Sequence, residues 1–505
     1  MAFGEFPCLN LFLDFETNSF KFKINKRKKQ LISKVVVGKM REGIRANKFS
    51  PAFYILTAIL VFNSTLAVAQ RPPLVPINLS NFRIDFMNVG ARPAALGGAF
   101  IGAAQDETAG PINPAGLTYL ESAGASLHQR RSRFKFKEPE RSTTTPDAKR
   151  NFHTSDFNQN MVSFFVPLKK FTFAIFRQVV FDSRFNFETR QFLTIEGRPL
   201  TIQETLGGLG NFPGKKVELD LEMVSDAFSF AFELSKRISI GITGKISVVN
   251  FKLNERTFLD PQVTNVQFLP NNSAETTYSI TSIDERQTKK NFSVGLMGKL
   301  IVDKLFLGAV YNFNPSFNLN STIFLPEYKI DSQTFPTELA ENTTFKLSVP
   351  DTYGFGLYYI IASKRLRFTF DIVRTQYSDL LSGNDLNVVA DDFNSQTGTY
   401  VDPDGQPDLT IDDATTFHFG LEYLYKSPRF GLIPLRFGIF TNPGHRIYAA
   451  GTNPDLKRLY PKAENRIHYT FGLGLVFNNL KFDGGMNVSR DGFEFIASAS
   501  ITTPF

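Results

Sequence analysis

The feature that most constrains this chain is an alternation with period two that recurs along almost its whole length. In Lys236-Arg237-Ile238-Ser239-Ile240-Gly241-Ile242-Thr243 the isoleucines fall on one face and small polar residues on the other. In Leu366 to Val373 the apolar face is Leu366, Phe368, Phe370 and Ile372, and the opposite face carries Arg367, Thr369, Asp371 and Val373. Side chains of a strand point alternately to its two faces, so this pattern is that of strands rather than helices. An apolar face backed by Arg, Asp and Thr suits a strand with lipid outside and a polar lumen inside.

Segments of this kind fall at about 119–136, 157–168, 170–190, 216–234, 237–256, 277–300, 304–321, 344–361, 364–378, 413–426, 433–441, 465–478, 480–489 and 492–504, about fourteen in all. The connections alternate between long (137–156, 191–215, 257–276, 322–343, 379–412, 442–464) and short, down to residue 169 alone, until the last, 490–491. Short turns on one side and long loops on the other are the signature of an outer-membrane barrel, and an even strand number returns both ends to one side. The expected fold is all-β: a transmembrane barrel of 14 antiparallel strands over 119–505. The last strand, Phe493 to Phe505, has apolar odd positions from 493 to 501 and ends on phenylalanine, like the strand that outer-membrane assembly machinery reads; Pro504 sits where loss of one donor is tolerable.

The N-terminal part is organised differently. Arg41, Arg45 and Lys48 precede an apolar stretch, Ala52 to Phe62, and Ala67-Val68-Ala69 precedes Gln70, so residues 40–69 read as a secretory signal peptide. Residues 1–39, with the basic tract Lys26 to Lys29, have no place ahead of such a signal and read as a mis-assigned N-terminal extension. The net charge of +8 then loses its meaning. The chain from Gln70 holds 45 Lys and Arg against 44 Asp and Glu, so no nucleic-acid partner is expected. The one cysteine, Cys8, also falls in the leader, which leaves no disulfide or thiolate chemistry.

Residues 70–118 do not alternate. Glycine and alanine concentrate between Gly90 and Gly116, with Asp106, Glu107 and Asn113 as polar partners, as expected of a compact plug in a polar lumen. Gly97-Gly98 lacks the preceding strand and following Lys-Ser/Thr of a phosphate loop. The run Gly90-Ala91-Arg92-Pro93-Ala94-Ala95-Leu96-Gly97-Gly98, then Asp106 and Asn113-Pro114-Ala115-Gly116-Leu117, resembles the hatch of the FadL-like outer-membrane transporters, which take up long-chain fatty acids and aromatic hydrocarbons. Further matches follow in the family's order: Val349-Pro350-Asp351-Thr352-Tyr353, Tyr377-Ser378-Asp379-Leu380, and Ile433 to Phe440 before Asn442-Pro443.

The resemblance implies a hatch over 70–118, with Gly90, Gly97, Gly98, Asp106, Asn113, Pro114, Ala115 and Gly116 as its motif. It also implies passive diffusion of a hydrophobic small molecule past the hatch, through an apolar pocket beside it, with lateral exit at a kink in the third strand. Relatives that share the hatch carry protein cargo in secretion, which is the alternative function. In the third strand Phe171, Phe173, Ile175 and Arg177 share the would-be lipid face, where a cation near the midplane costs about 2 to 4 kcal/mol. Either a bulge beside Arg177 turns it inward and makes the kink, or Arg177 snorkels to an interface. Phe176, on the other face, is the companion gate candidate.

Asp402, Asp404 and Asp408, with Asp412 and Asp413 nearby, resemble a short calcium loop, but the spacing misses the EF-hand pattern and a solvated acidic turn is favoured. The five histidines, 128, 153, 418, 445 and 468, never take ligand spacing, and no nucleophile elbow occurs. The expectation is therefore no enzyme, no cofactor and no confident metal site. The expected setting is the bacterial outer membrane, as a monomer, with lipid, lipopolysaccharide and, through the strand ending at Phe505, the assembly machinery as partners.

Overall fold

The computed structural model describes residues 84–503 apart from 140–148, 190–213, 259–265, 269–276, 326–327, 331–332, 336–337, 362–364, 383–391, 395–398, 402–408 and 451–459. The expected N-terminal extension (1–39), the expected signal peptide (40–69), the start of the expected hatch, Asp402, Asp404, Asp408 and the final Phe505 lie outside the described residues.

Fourteen antiparallel strands close on themselves. They are β1 Ala123–Pro139, β2 Lys149–Leu168, β3 Phe171–Thr189, β4 Gly214–Ser235, β5 Ile238–Phe258 and β6 Thr277–Ile301. Next come β7, in two pieces Leu305–Phe313 and Ser316–Leu325, and β8, in two pieces Glu338–Ser348 and Thr352–Ile360. The rest are β9 Leu366–Thr375, β10 Ala414–Ser427, β11 Gly431–Asn442, β12 Arg466–Phe477, β13 Leu480–Ser489 and β14 Gly492–Thr503. Each strand pairs with the next, and β1 pairs with β14, Ala123 opposite Thr503. The ladder thus closes through β1 and β14, although it is not continuous at every height.

The strand count agrees with the alternation, while several bounds differ. β2 starts at Lys149 rather than near 157, so the first long loop is shorter than expected. β7 and β8 are each broken where proline removes a ladder donor, at Asn314-Pro315 and Pro350. The two breaks lie side by side: Val349 N–H donates to Pro315 O at 3.1 Å, and Asn314 Nδ2 donates to Pro350 O at 2.7 Å. Beyond them β7 leaves β6, touching it again only at Ile280 to Ser282.

The faces follow the sequence parity. Ile238, Ile240 and Ile242 of β5, Phe370 and Ile372 of β9, Phe471 and Leu473 of β12, and Phe495 and Ile501 of β14 are all exposed on the outside. An apolar surface running round a whole barrel far exceeds the patches a soluble monomer leaves in water. Inward positions carry hydroxyls that bond across strands: Ser225 to Ser247 at 2.7 Å, Ser229 to Thr243 at 2.6 Å, Ser126 to Ser163 at 2.8 Å. Among the described residues no helix is long and apolar enough to cross a membrane.

Candidate functional site: a seated hatch, a mixed chamber and a gap in the wall

Residues 84–122 fill the lumen as a plug with little regular structure: α1 Ala91–Ala95, α2 Ala109–Ile112 and a 3-10 turn Pro114–Tyr119. Its alanines and glycines are there because backbone meets backbone. Inward glycines of the wall stand as cross-strand pairs, Gly241 with Gly295, Gly308 with Gly356, Gly420 with Gly438 and Gly472 with Gly485. Each faces hatch main chain or a small side chain: Gly241 meets Pro114 and Ala115, Gly308 meets Ile101, Gly438 meets Leu96 and Gly97, and Gly485 meets Ala91. A Cβ at any of these positions would clash. Gly97 and Gly98 have φ of 66° and 78°, a left-handed turn that seats the plug against β10 and β11.

Polar atoms complete the seat. Asn113 Nδ2 donates to Ile101 O at 3.0 Å and to Leu296 O of β6 at 3.2 Å, while its Oδ1 accepts from Ala115 N–H. Asp371 accepts the N–H groups of Phe100 and Ile101 at 2.5 and 2.7 Å. His418 Nδ1–H donates to Gly97 O at 2.6 Å, and Thr416 hydroxyl meets its Nε2 at 2.8 Å, so this histidine is a lumen-wall tether rather than a base. On the flank of the hatch lies a buried array of four acids and four bases. Glu422 of β10 receives Arg92 (3.1 Å), Arg367 (3.1 Å) and Arg436 (2.7 Å). Arg436 reaches Asp483 at 2.6 Å, and Lys481 bridges Asp483 (3.1 Å), Glu107 (3.2 Å) and Asp106 (3.7 Å). Arg92 also binds Asp106 at 3.2 Å.

Each cation is matched, so cutting one partner leaves a buried charge uncompensated. Burial by itself would raise the Asp106 carboxyl, but Lys481 and Arg92 outweigh it and hold it down to about 2. A carboxyl depressed in the folded state contributes stability that is complete above its ordinary value of 3.8 and is lost as pH falls toward 2. The hatch contact through Asp106 is therefore expected to persist at pH 5 and to weaken only below about 3, on the same linkage. Single-channel recording across a pH series checks this; opening between pH 6 and 5 would contradict it.

Ahead of α1 the chain runs along the inside of the wall. Asn88 Nδ2 donates to Glu494 at 2.8 Å, Asn160 Nδ2 to Asn88 O at 2.7 Å, and Tyr377 hydroxyl to Ile84 O at 3.2 Å. Asp85 lies 2.9 Å from His445, whose ring stacks on Tyr377. Met87 N–H donates to Val180 O at 3.0 Å. Val180 is the bulged residue of β3: the β3–β4 register shifts between Val179 and Phe181. Before the bulge even positions face inward (Ala174, Phe176, Gln178); after it odd ones do (Phe181, Phe187). Above Met161 and Gln178, β2 and β3 no longer pair, which leaves a gap in the wall between 149–160 and 179–189. Side chains span it: Asn158 Nδ2 donates to Asp182 Oδ2 at 3.2 Å, and Arg184 contacts Asp182 (3.1 Å) and Asp156 (3.4 Å).

A cavity of about 390 Å³ opens beside this gap and the chain ahead of α1. Phe86, Met87, Val179, Val180 and Phe440 line it together with Arg130, Asp156, Lys245 and three histidines, 418, 445 and 468. The resemblance implies an apolar pocket beside the hatch. The cavity does border the hatch, along Asp85 to Val89, but its lining is mixed, because inward strand positions there carry the lumen's polar residues. The phenylalanine-rich zone adjoins it, a cluster that includes Phe136, Phe181, Phe187, Phe251, Phe317 and Phe345 with Ile84, and Phe136 belongs to both.

The third-strand candidates part company. Phe176 is buried inside the barrel with its ring against Gly110 of the hatch. Arg177 stays on the outer face, 64% exposed, and pairs with Asp226 across the strand at 3.7 Å. The bulge lies three residues beyond it and does not turn it inward; a cross-strand carboxylate is what accompanies the charge. The hatch motif residues Gly90, Gly97, Gly98, Asp106, Asn113, Pro114, Ala115 and Gly116 come together in the plug. Near the acidic turn, Asp412 is bound by Lys462 at 2.6 Å and Asp413 by Arg374 at 3.1 Å. No group of three potential metal ligands occurs among the described residues. The wall glycines, which seat the plug, were missed; their signal was a glycine at an inward position in strand after strand.

No family model matches the sequence, and no curated protein is recognisably similar to it. Solved structures do share its fold. A Pseudomonas aeruginosa FadL homologue is 14% identical with a TM-score of 0.52, over 83% of this chain and 99% of that one. The Pseudomonas putida toluene transporter TodX is 17% identical with a TM-score of 0.52, over 83% of this chain and 100% of that one. At such identities the likeness establishes the fold, a FadL-type barrel with its hatch.

Proposed function

We propose that this FadL-type barrel sits in the bacterial outer membrane, exported by the signal peptide at 40–69, and passes hydrophobic small molecules by passive diffusion. The observation that carries the reading is the conjunction of three features on one side of the lumen: the bulge at Val180, the unpaired stretch of β2 and β3, and the 390 Å³ cavity that touches both. A greasy solute entering from the outside meets the apolar cluster first, where burial returns about 25 cal/mol per Å² of its surface. It then reaches the cavity, and it leaves sideways through the gap without passing the seated hatch. Phe176 stops the downward path by packing on Gly110, and the gap is held shut by Asn158, Asp182 and Arg184. The mixed lining, with Lys245 near the apolar wall, suits a solute with a polar end, such as a long-chain fatty acid, at least as well as an unsubstituted aromatic hydrocarbon.

Uptake of radiolabelled oleate and toluene by a deletion strain, with and without the gene restored, tests the reading. Restored uptake with a preference for oleate is the expected result. Unchanged uptake together with lost secretion of surface proteins would overturn it in favour of a cargo-carrying role.

A further inference from the structure

On the outer face of β1, alternate residues past Leu127 are Gln129, Arg131, Arg133 and Lys135, and the three cations are exposed. Their inward neighbours, Arg130 and Ser132, belong to the lumen. The cations climb toward the headgroup end of the wall: Arg131 stands opposite Phe495 of β14, Arg133 opposite Phe493, and Lys135 N–H donates to Asp491 O in the tight β13–β14 turn at 2.7 Å. On the other side they face Phe157, Ser155 and His153 of β2. Phe157 is 70% exposed and Phe495 43% exposed.

Among the described residues no carboxylate answers this row. Among the described residues none of the three cations forms an ion pair, although other outward cations do: Arg177 has Asp226, and Arg490 has Glu464. The acid nearest in sequence on β14, Glu494, points inward and is taken by Arg130 at 2.6 Å. Exposed cations at the headgroup end of a lipid-facing strand are well placed to meet anionic headgroups, and forked guanidinium groups match phosphate oxygens in particular. We propose that Arg131, Arg133 and Lys135 form a binding site for a phosphate-bearing lipid of the outer leaflet, the lipid A portion of lipopolysaccharide, with its acyl chains laid over Phe157 and Phe495. Charge complementarity supplies the headgroup contact, and the two exposed rings supply the apolar contact below it. The site is one strand away from the β2–β3 gap, so the bound lipid would border the place where a solute leaves.

The proposal rests on the outer-membrane placement but not on which solute is carried. The test uses the full chain in detergent and native mass spectrometry with two probes, bisphosphorylated hexa-acyl lipid A and the same lipid after dephosphorylation. The wild type is expected to retain the phosphorylated lipid about tenfold better than the dephosphorylated one, as charge-assisted recognition requires. The variant Arg131→Ala/Arg133→Ala/Lys135→Ala loses that preference, whereas Arg490→Ala on the same rim keeps it. Equal retention of the two lipids by the wild type, retention of the preference by the triple variant, or its loss in Arg490→Ala overturns the proposal. Folding is judged by heat-modifiable gel mobility. Should the triple variant fail to fold, Arg133→Ala alone and the two-lipid comparison on wild type decide. Oleate uptake measured in parallel separates this site from the transport reading: lost lipid preference with normal uptake is expected of the variant, and lost uptake in the deletion strain bears on transport only.

Discussion

Locking residue 158 to residue 182 is expected to bring uptake down to the level of the deletion strain, and reduction of the lock to restore it. In the folded chain Asn158 Nδ2 and Asp182 Oδ2 are 3.2 Å apart, so cysteines placed there are within reach of a short disulfide-forming linker. They join two strands that share no ladder at that height. At this height the natural bridge is made of hydrogen bonds and an ion pair at the edge of the cavity, each worth little and open to exchange with water, while Phe152 and Phe187 meet farther along the gap at 5.5 Å. A covalent bridge removes that freedom. The background is simple, because the only cysteine of the chain is Cys8, and replacing it by serine leaves the two introduced thiols alone. The variant Asn158→Cys/Asp182→Cys, assayed for oleate uptake before cross-linking, after it and after dithiothreitol, carries its own control. Full uptake in the cross-linked protein would show that the solute does not leave through the gap, and the route would have to run past the hatch.

The gap shows where the sequence could be read and where it could not. Alternation told the lipid face from the lumen face in β5, β9 and β14, because a period of two leaves only two choices and lipid selects the apolar one. It also marked Asp371 and Arg367 as lumen residues, and both hold the hatch in place, the second through Glu422. The resemblance singled out segments that prove to be contact points: Arg436 joins the buried ion array, and Gly438 seats the hatch. Parity failed at β3. Residues on both sides of Val180 alternate, and a bulge is a one-residue slip of phase that apolar residues on both faces conceal. Phe181 and Val179 are both buried, so no polar residue marked the change. The same blindness applied to Arg177, whose partner Asp226 is 49 positions away and becomes a neighbour only once β3 and β4 are in register. Which strands carry the plug was legible only in the recurrence of inward glycines, because any one glycine alone reads as no more than a weak strand former.

Filling one of those glycines is expected to unseat the plug and turn a closed barrel into a leaking one. Gly438 faces the main chain of Leu96 and Gly97, its partner across the strand is Gly420, and the opposite side of that pair is lipid. A leucine there has no free volume to enter, and overpacking of this kind costs about 1 to 3 kcal/mol. The wall cannot yield, because its ladder is closed. The hatch can, since it is held by short helices and by contacts such as His418 to Gly97 O that break when Gly97 moves. The strain is therefore expected to go into the plug rather than the barrel, leaving heat-modifiable mobility unchanged. The readouts are larger and longer openings of Gly438→Leu in planar bilayers, and sensitivity of cells to antibiotics that normally fail to cross the outer membrane. Gly244→Leu supplies the comparison: that glycine is on the outer face of β5 with no atom within 4 Å of where its Cβ would be. It carries the same change in composition and strand propensity without touching the hatch. Leakage in Gly438→Leu with none in Gly244→Leu assigns the effect to the seat. Equal leakage in both would mean that the glycines serve the strands themselves, and that the plug is held by its ion array alone.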